Sequence, residues 1–140
     1  MESSNLLPRS ATIVDIRQLT DKEKLFTVRI NNGGGFQYRP CQFVIFSMFG
    51  IGEAPISISS APLDSGETIE LCIRSAGNLT GAIHKLSLND SIGIRGPFGN
   101  GFPLEKIDGK DVLIVAGGLG LAPLRSLINY IIHHRWKYGK

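Results

Sequence analysis

Three short stretches carry residues whose types and spacing suit chemistry. In AGGLGLAP, Gly118-x-Gly120 stands between an apolar run and a helix-forming one. Glycines in that context let the backbone approach a pyrophosphate, and the free N–H groups and dipole of a helix start favour its charge. Pro123 takes the place of the third glycine of the usual dinucleotide pattern, so a tight strand-to-helix turn with no ligand explains the same residues. In IRSAGNLTGAI, a helix capped near Asn78 presents further N–H groups, with charge from Arg74 and a hydroxyl from Thr80. An ordinary capped helix after a strand is the plain alternative. APISISS offers an apolar edge at Pro55 and Ile56 with hydroxyls at Ser57, Ser59 and Ser60, the mixture that holds and orients a flat heteroaromatic ring.

Other chemistries find little support. The carboxylates are dispersed and form no acid–base pair. His133 and His134 are adjacent rather than four residues apart, which disfavours a helical metal pair, and His84, between Ile83 and Lys85, reads as an exposed structural histidine. Cys41 and Cys72 lie in separate strand-like runs and read as buried, reduced thiols; an iron–sulfur cluster takes about four protein ligands. The net charge of +3, with scattered Lys and Arg, leans weakly toward an anionic ligand and away from nucleic acid. The start MESSNLLPRS has neither a basic cluster nor an apolar h-region, and no apolar run nears the roughly 18 residues of a membrane span, so a cytoplasmic protein is expected.

These stretches must be positioned by two kinds of architecture. TIVDIRQL, KLFTVRI, QFVIFSMF, PISISS, TIELCIR and SIGIRG are short β-rich runs, mostly separated by turn residues, as in an antiparallel barrel or sandwich. IELCIR alternates, with Ile69, Leu71 and Ile73 on one face and Glu70, Cys72 and Arg74 on the other. One helix interrupts the series, with Leu79, Ile83 and Leu86 at helical spacing. GPFGNGFPLEKIDGKD suits a connector, VLIVA a strand covered on both faces, and the final segment a helix with Leu124, Leu127, Ile128, Ile131 and Ile132 on one side. The expected domains are a β domain over residues 1–100, a linker at 101–110, and the first β-α unit of an α/β domain at 111–140. A single such unit cannot cover both faces of its strand, so it must lean on the β domain, another chain or further residues.

PISISS, IRSAGNLT, GPFGNGF and AGGLGLAPL, in this order and spacing, resemble the ferredoxin-NADP reductase superfamily. Within it the chain is similar to the electron-transfer subunits of dihydroorotate dehydrogenase B, of anaerobic sulfite reductase, and of hydrogenase/sulfur reductases (gamma subunit). The resemblance implies a mainly β fold: a six-stranded antiparallel Greek-key barrel that binds FAD, then an NAD(P)-binding α/β domain. It implies that Pro55, Ile56 and Ser57 lie against the flavin, and that Cys72, Ile73, Arg74, Gly77, Leu79 and Thr80 hold its ribityl and pyrophosphate part. Gly117, Gly118, Gly120, Ala122 and Pro123 would form the nicotinamide nucleotide turn. The implied activity is electron transfer between NAD(P)H and an iron–sulfur or hydrogenase/reductase subunit in a hetero-oligomer; a non-catalytic FAD-binding docking module is the alternative. Three departures stand out: Ala54 where the family has arginine, Cys41 where PGQF reads PCQF, and too little chain for a whole second domain.

Overall fold

The computed structural model describes residues 6–31, 33, 35–63 and 66–139. Residues 1–5 of the N-terminal stretch read above for targeting lie outside them.

Six strands form one antiparallel sheet: β1 (Arg9–Gln18), β2 (Glu23–Ile30), β3 (Phe43–Met48), β4 (Gly52–Ser57), β5 (Thr68–Arg74) and β6 (Ser91–Phe98). Their order is β4-β3-β6-β1-β2-β5, so sequence neighbours are repeatedly separated, as in a Greek key. Just past the end of β4, Ile58 bridges to Leu71 of β5, and the Ser59 N–H donates to the Glu70 carbonyl at 2.8 Å. That link joins the two ends of the strand order, as in a closed barrel.

Alternation explains the closure. Ile69, Leu71 and Ile73 are at most 2% exposed, and their sheet neighbours Phe26 and Val28 are fully buried with them. Phe46 from β3 and Ile92 and Ile94 from β6 complete the core. The short helix α1 (Asn78–Ile83) follows β5 and drives Ile83 into it, with Leu79 and Leu86 packed alongside.

Three expectations need correction. Gly77, extended at φ −176°, is the N-cap of α1, and Asn78 is its first helical residue. No side chain caps the helix start; the Thr80 hydroxyl instead reaches back to accept the Ala76 N–H, before the helix, at 2.9 Å. His84 is half-buried rather than exposed: its Nε2 lies 2.7 Å from the Ile73 carbonyl and its ring meets the Phe26 edge. VLIVA pairs with no strand among the described residues, and Leu113 and Val115 are 90% and 82% exposed. A strand exists only through its neighbours, and the barrel's strands already satisfy one another.

The helix α2 (Leu121–His133) does lean on the barrel. Ala122, Ser126 and Leu127 are buried, and Arg125 reaches Glu70 of β5 at 2.5 Å and the Ser59 carbonyl at 3.2 Å.

Candidate functional site

The outer face of β5 and the start of α2 form two walls of one cleft of about 420 Å³. Cys72 and Arg74 stand on the β5 wall, because alternation turns them away from the core. Gly118, Leu121 and Ala122 stand opposite, and the floor and rim come from Leu25 on β2, Arg17 on β1, and Leu19 and Thr20 in the connecting turn. Leucines thus provide the apolar surface, and Arg17, Arg74 and Arg125 the positive charge.

Two of those guanidiniums are held by carboxylates. Glu23 pairs directly across the strands with Arg74, its carboxylate accepting the Arg74 Nε–H. The turn before it fixes Glu23: the Thr20 hydroxyl bonds its carboxylate and accepts the N–H groups of Lys22 and Glu23 at 3.2 and 3.1 Å. The Thr20 hydroxyl, and after it Arg74, hold the Glu23 carboxyl below its ordinary value. Arg125 is held by Glu70. Arg17 is exposed and makes no ion pair among the described residues. Burial, with the Glu23 charge adding to it, pushes the Cys72 thiol up.

The glycine turn is a single 3₁₀ turn over Gly118–Gly120 leading into α2, with the Gly120 N–H donating to the Gly117 carbonyl at 3.1 Å. Gly118 has φ +54°, which favours glycine. Gly117 and Gly120 have φ −122° and −59°, open to any residue, and a Cβ added to either would meet nothing within 4 Å. Packing therefore does not require glycine at these two positions; the space before them fits a ligand's close approach. Pro123 sits half-buried with its carbonyl 3.7 Å from Cys41 Sγ.

The remaining predicted residues are not among those that line this cleft. Pro55, Ile56 and Ser57 lie on β4, with Pro55 exposed and Ile56 half-buried against the core. α1 packs against β4. Gly77 is exposed with nothing within 4 Å of an added Cβ, Leu79 packs on the core, and the Thr80 hydroxyl is engaged with Ala76. Ile73 turns its side chain into the core and can offer a ligand only backbone. Among residues flagged in the sequence, the cleft thus unites Cys72, Arg74, Gly118 and Ala122 with Ser59.

Sequence reasoning missed Arg17, Thr20, Glu23 and Arg125. Thr20-x-x-Glu23 has the spacing of a capping box and could have been noticed. The pairing of Glu23 with Arg74, 51 residues apart, needed the sheet register. Ser59 is fully buried on the cleft wall, and its hydroxyl has no hydrogen-bond partner among the described residues. No group of three or more His, Cys, Asp or Glu placed to hold a metal occurs among the described residues. No helix there is long and apolar enough to cross a membrane.

No protein-family model matches the chain. It is 45% identical over 130 residues, 91% of its length, to the sulfhydrogenase 1 gamma subunit of Pyrococcus furiosus, and spans 44% of that protein. It is 40% identical over 94 residues, 65% of its length, to the dihydroorotate dehydrogenase B (NAD(+)) electron transfer subunit of Clostridium acetobutylicum, and spans 37% of it. The chain therefore spans less than half the length of these relatives. In fold it is similar to a ferredoxin NADP+ reductase from Neisseria gonorrhoeae solved with bound FAD and NADP, with a TM-score of 0.74 and 21% identity, covering 92% of this chain and 53% of that one.

Proposed function

This chain is a homologue of sulfhydrogenase gamma and dihydroorotate dehydrogenase B electron-transfer subunits on the ferredoxin-reductase fold, and we propose that it holds FAD and passes electrons between NAD(P)H and an iron–sulfur partner subunit. The observation that carries this reading is the shared cleft, in which the β5 wall and the glycine turn face one another. Redox chemistry of this kind needs a reductant and an acceptor group held against each other with water excluded, and no side-chain acid or base.

The residues present fit a flavin dinucleotide. Open space before Gly77, Gly117 and Gly120 suits backbone approach to phosphates, and the unpartnered Ser59 hydroxyl lies on an apolar wall. Pro55, Ile56 and Ser57 would hold the ring, and Cys72, the Ile73 backbone, Arg74, Gly77, Leu79 and Thr80 the ribityl and pyrophosphate part. Gly117, Gly118, Gly120, Ala122 and Pro123 would hold the nicotinamide nucleotide. A bound flavin supplies the conversion between two-electron and one-electron transfer. With Ala54 providing no charge on β4, Arg74 is the phosphate-facing cation, and Glu23 orients it.

Residues 1–100 are then the flavin domain, 101–110 the connector and 111–140 the opening of the nucleotide domain. The protein as purified should show oxidised-flavin absorption that NADH or NADPH bleaches. A colourless protein that fails to take up added FAD sinks the reading. A yellow protein indifferent to both nucleotides supports instead a docking module that holds FAD without turning over NAD(P)H.

A further inference from the structure

We infer that Arg125 is a positioning residue that sets the spacing between the glycine turn and the β5 wall. The inference rests on the cleft being the place where flavin and nicotinamide meet.

Among the described residues, the contacts that attach the glycine turn to the barrel come from the segment after it. Before it, residues 112–116 pair with no strand among the described residues, and Leu113 and Val115 face solvent. After it, α2 carries the attachment, and Arg125 lies one helical turn beyond Leu121, which lines the cleft. One terminal nitrogen of its guanidinium reaches the Glu70 carboxylate at 2.5 Å and the Ser59 carbonyl at 3.2 Å. Those acceptors belong to the two chain segments that close the barrel, where the Ser59 N–H also bonds the Glu70 carbonyl. Arg125 therefore ties the helix to a point the barrel itself holds fixed. Glu70 and Cys72 lie on the same face of β5, about 7 Å apart along the strand, so the tie point and the cleft wall move together.

The rest of the seam is less directional. Ser126 on α2 and Ser59 on the barrel are fully buried, yet neither hydroxyl finds a partner among the described residues. The Cys41 thiol meets the Pro123 carbonyl only at 3.7 Å. Ala122 and Leu127 contribute non-directional apolar burial. A planar guanidinium shared between a carboxylate and a carbonyl fixes direction as well as distance, which a lysine at the same place does not.

The test compares Arg125→Lys, Glu70→Gln and the charge-swapped pair Glu70→Arg with Arg125→Glu in the full chain. A Cys41→Ser background makes Cys72 the one remaining cysteine. Three quantities are read: alkylation rate of Cys72, FAD affinity, and the rate of flavin bleaching by NADH or NADPH. With FAD affinity retained, both single variants should alkylate Cys72 several-fold faster and bleach about tenfold slower, since misplacing reactants by about an ångström costs rate steeply. The swapped pair restores the ion pair but not the bond to the Ser59 carbonyl, so it should recover part of both losses. Wild-type rates of alkylation and bleaching in Arg125→Lys and Glu70→Gln would overturn the inference and leave an ordinary surface ion pair. Loss of FAD in parallel with bleaching would also overturn it, by showing a general loss of structure rather than of spacing. A wild-type protein without flavin sinks the proposed function, and Cys72 alkylation then still decides whether Arg125 holds the turn over β5.

Discussion

The barrel and the segment that follows it treat similar residues in opposite ways. Ile92 and Ile94 on β6 are 2% and 0% exposed, whereas Leu113 and Val115 in an equally apolar run are 90% and 82% exposed. Intrinsic preference is much the same in both, since Ile, Leu and Val all favour strands or cores. The difference lies in neighbours: β6 has β1 and β3 beside it, while VLIVA has no strand partner among the described residues. Strand burial is collective, and apolar residues alone do not achieve it.

The sharpest test of this contrast is a pair of truncations. Phe46→Ala in the barrel should cost about 3–5 kcal/mol in urea unfolding, the usual range for a buried phenylalanine. Leu113→Ser should change stability by no more than about 0.5 kcal/mol, because the side chain already meets water. Comparable costs at the two positions would break the comparison.

Glycines extend it on a smaller scale. A Cβ on Gly101 would lie 2.7 Å from the Arg39 Cβ at φ +70°, so Gly101→Ala should lose at least about 1–2 kcal/mol. Gly120→Ala should leave stability unchanged or slightly raised, yet weaken nicotinamide nucleotide affinity measured by titration. Unchanged affinity would argue that the space before Gly120 serves no ligand.

Smaller still is the pH effect at the cleft rim. The folded-state value of Glu23 is lowered, first by the Thr20 hydroxyl and then by Arg74. Its contribution is therefore present above the ordinary glutamate value of about 4.3 and is lost as pH falls through the lowered one. Melting temperature followed from pH 7 to pH 3 should fall less steeply in Glu23→Gln than in wild type. Parallel curves would remove Glu23 from the set of groups that shape the rim. Glu53, lowered by the Ser47 hydroxyl and by Arg95, should behave in the same direction.

Much of the barrel was legible because its signals are local. The alternation in TIELCIR placed Ile69, Leu71 and Ile73 inside and Glu70, Cys72 and Arg74 outside. Cys41, where the resemblance implies glycine, has φ +69°, a left-handed turn of the kind glycine favours. The Asn78 cap was misjudged because the choice between Gly77 and Asn78 depends on where the chain turns into the helix after β5.

The sequence by itself determined which residues face the core, where the glycine turn lies, and the order of motifs shared with flavin electron-transfer subunits. Each of these follows from spacing along the chain, through a period of two in strands or the backbone needs of a turn. Only the tertiary structure decided that Glu23 holds Arg74, that Arg125 ties α2 to Glu70, and that the β5 wall faces Gly118 across one cleft. Those contacts join residues 51 and 55 positions apart, and sheet register and helix docking set them through the packing of many side chains at once.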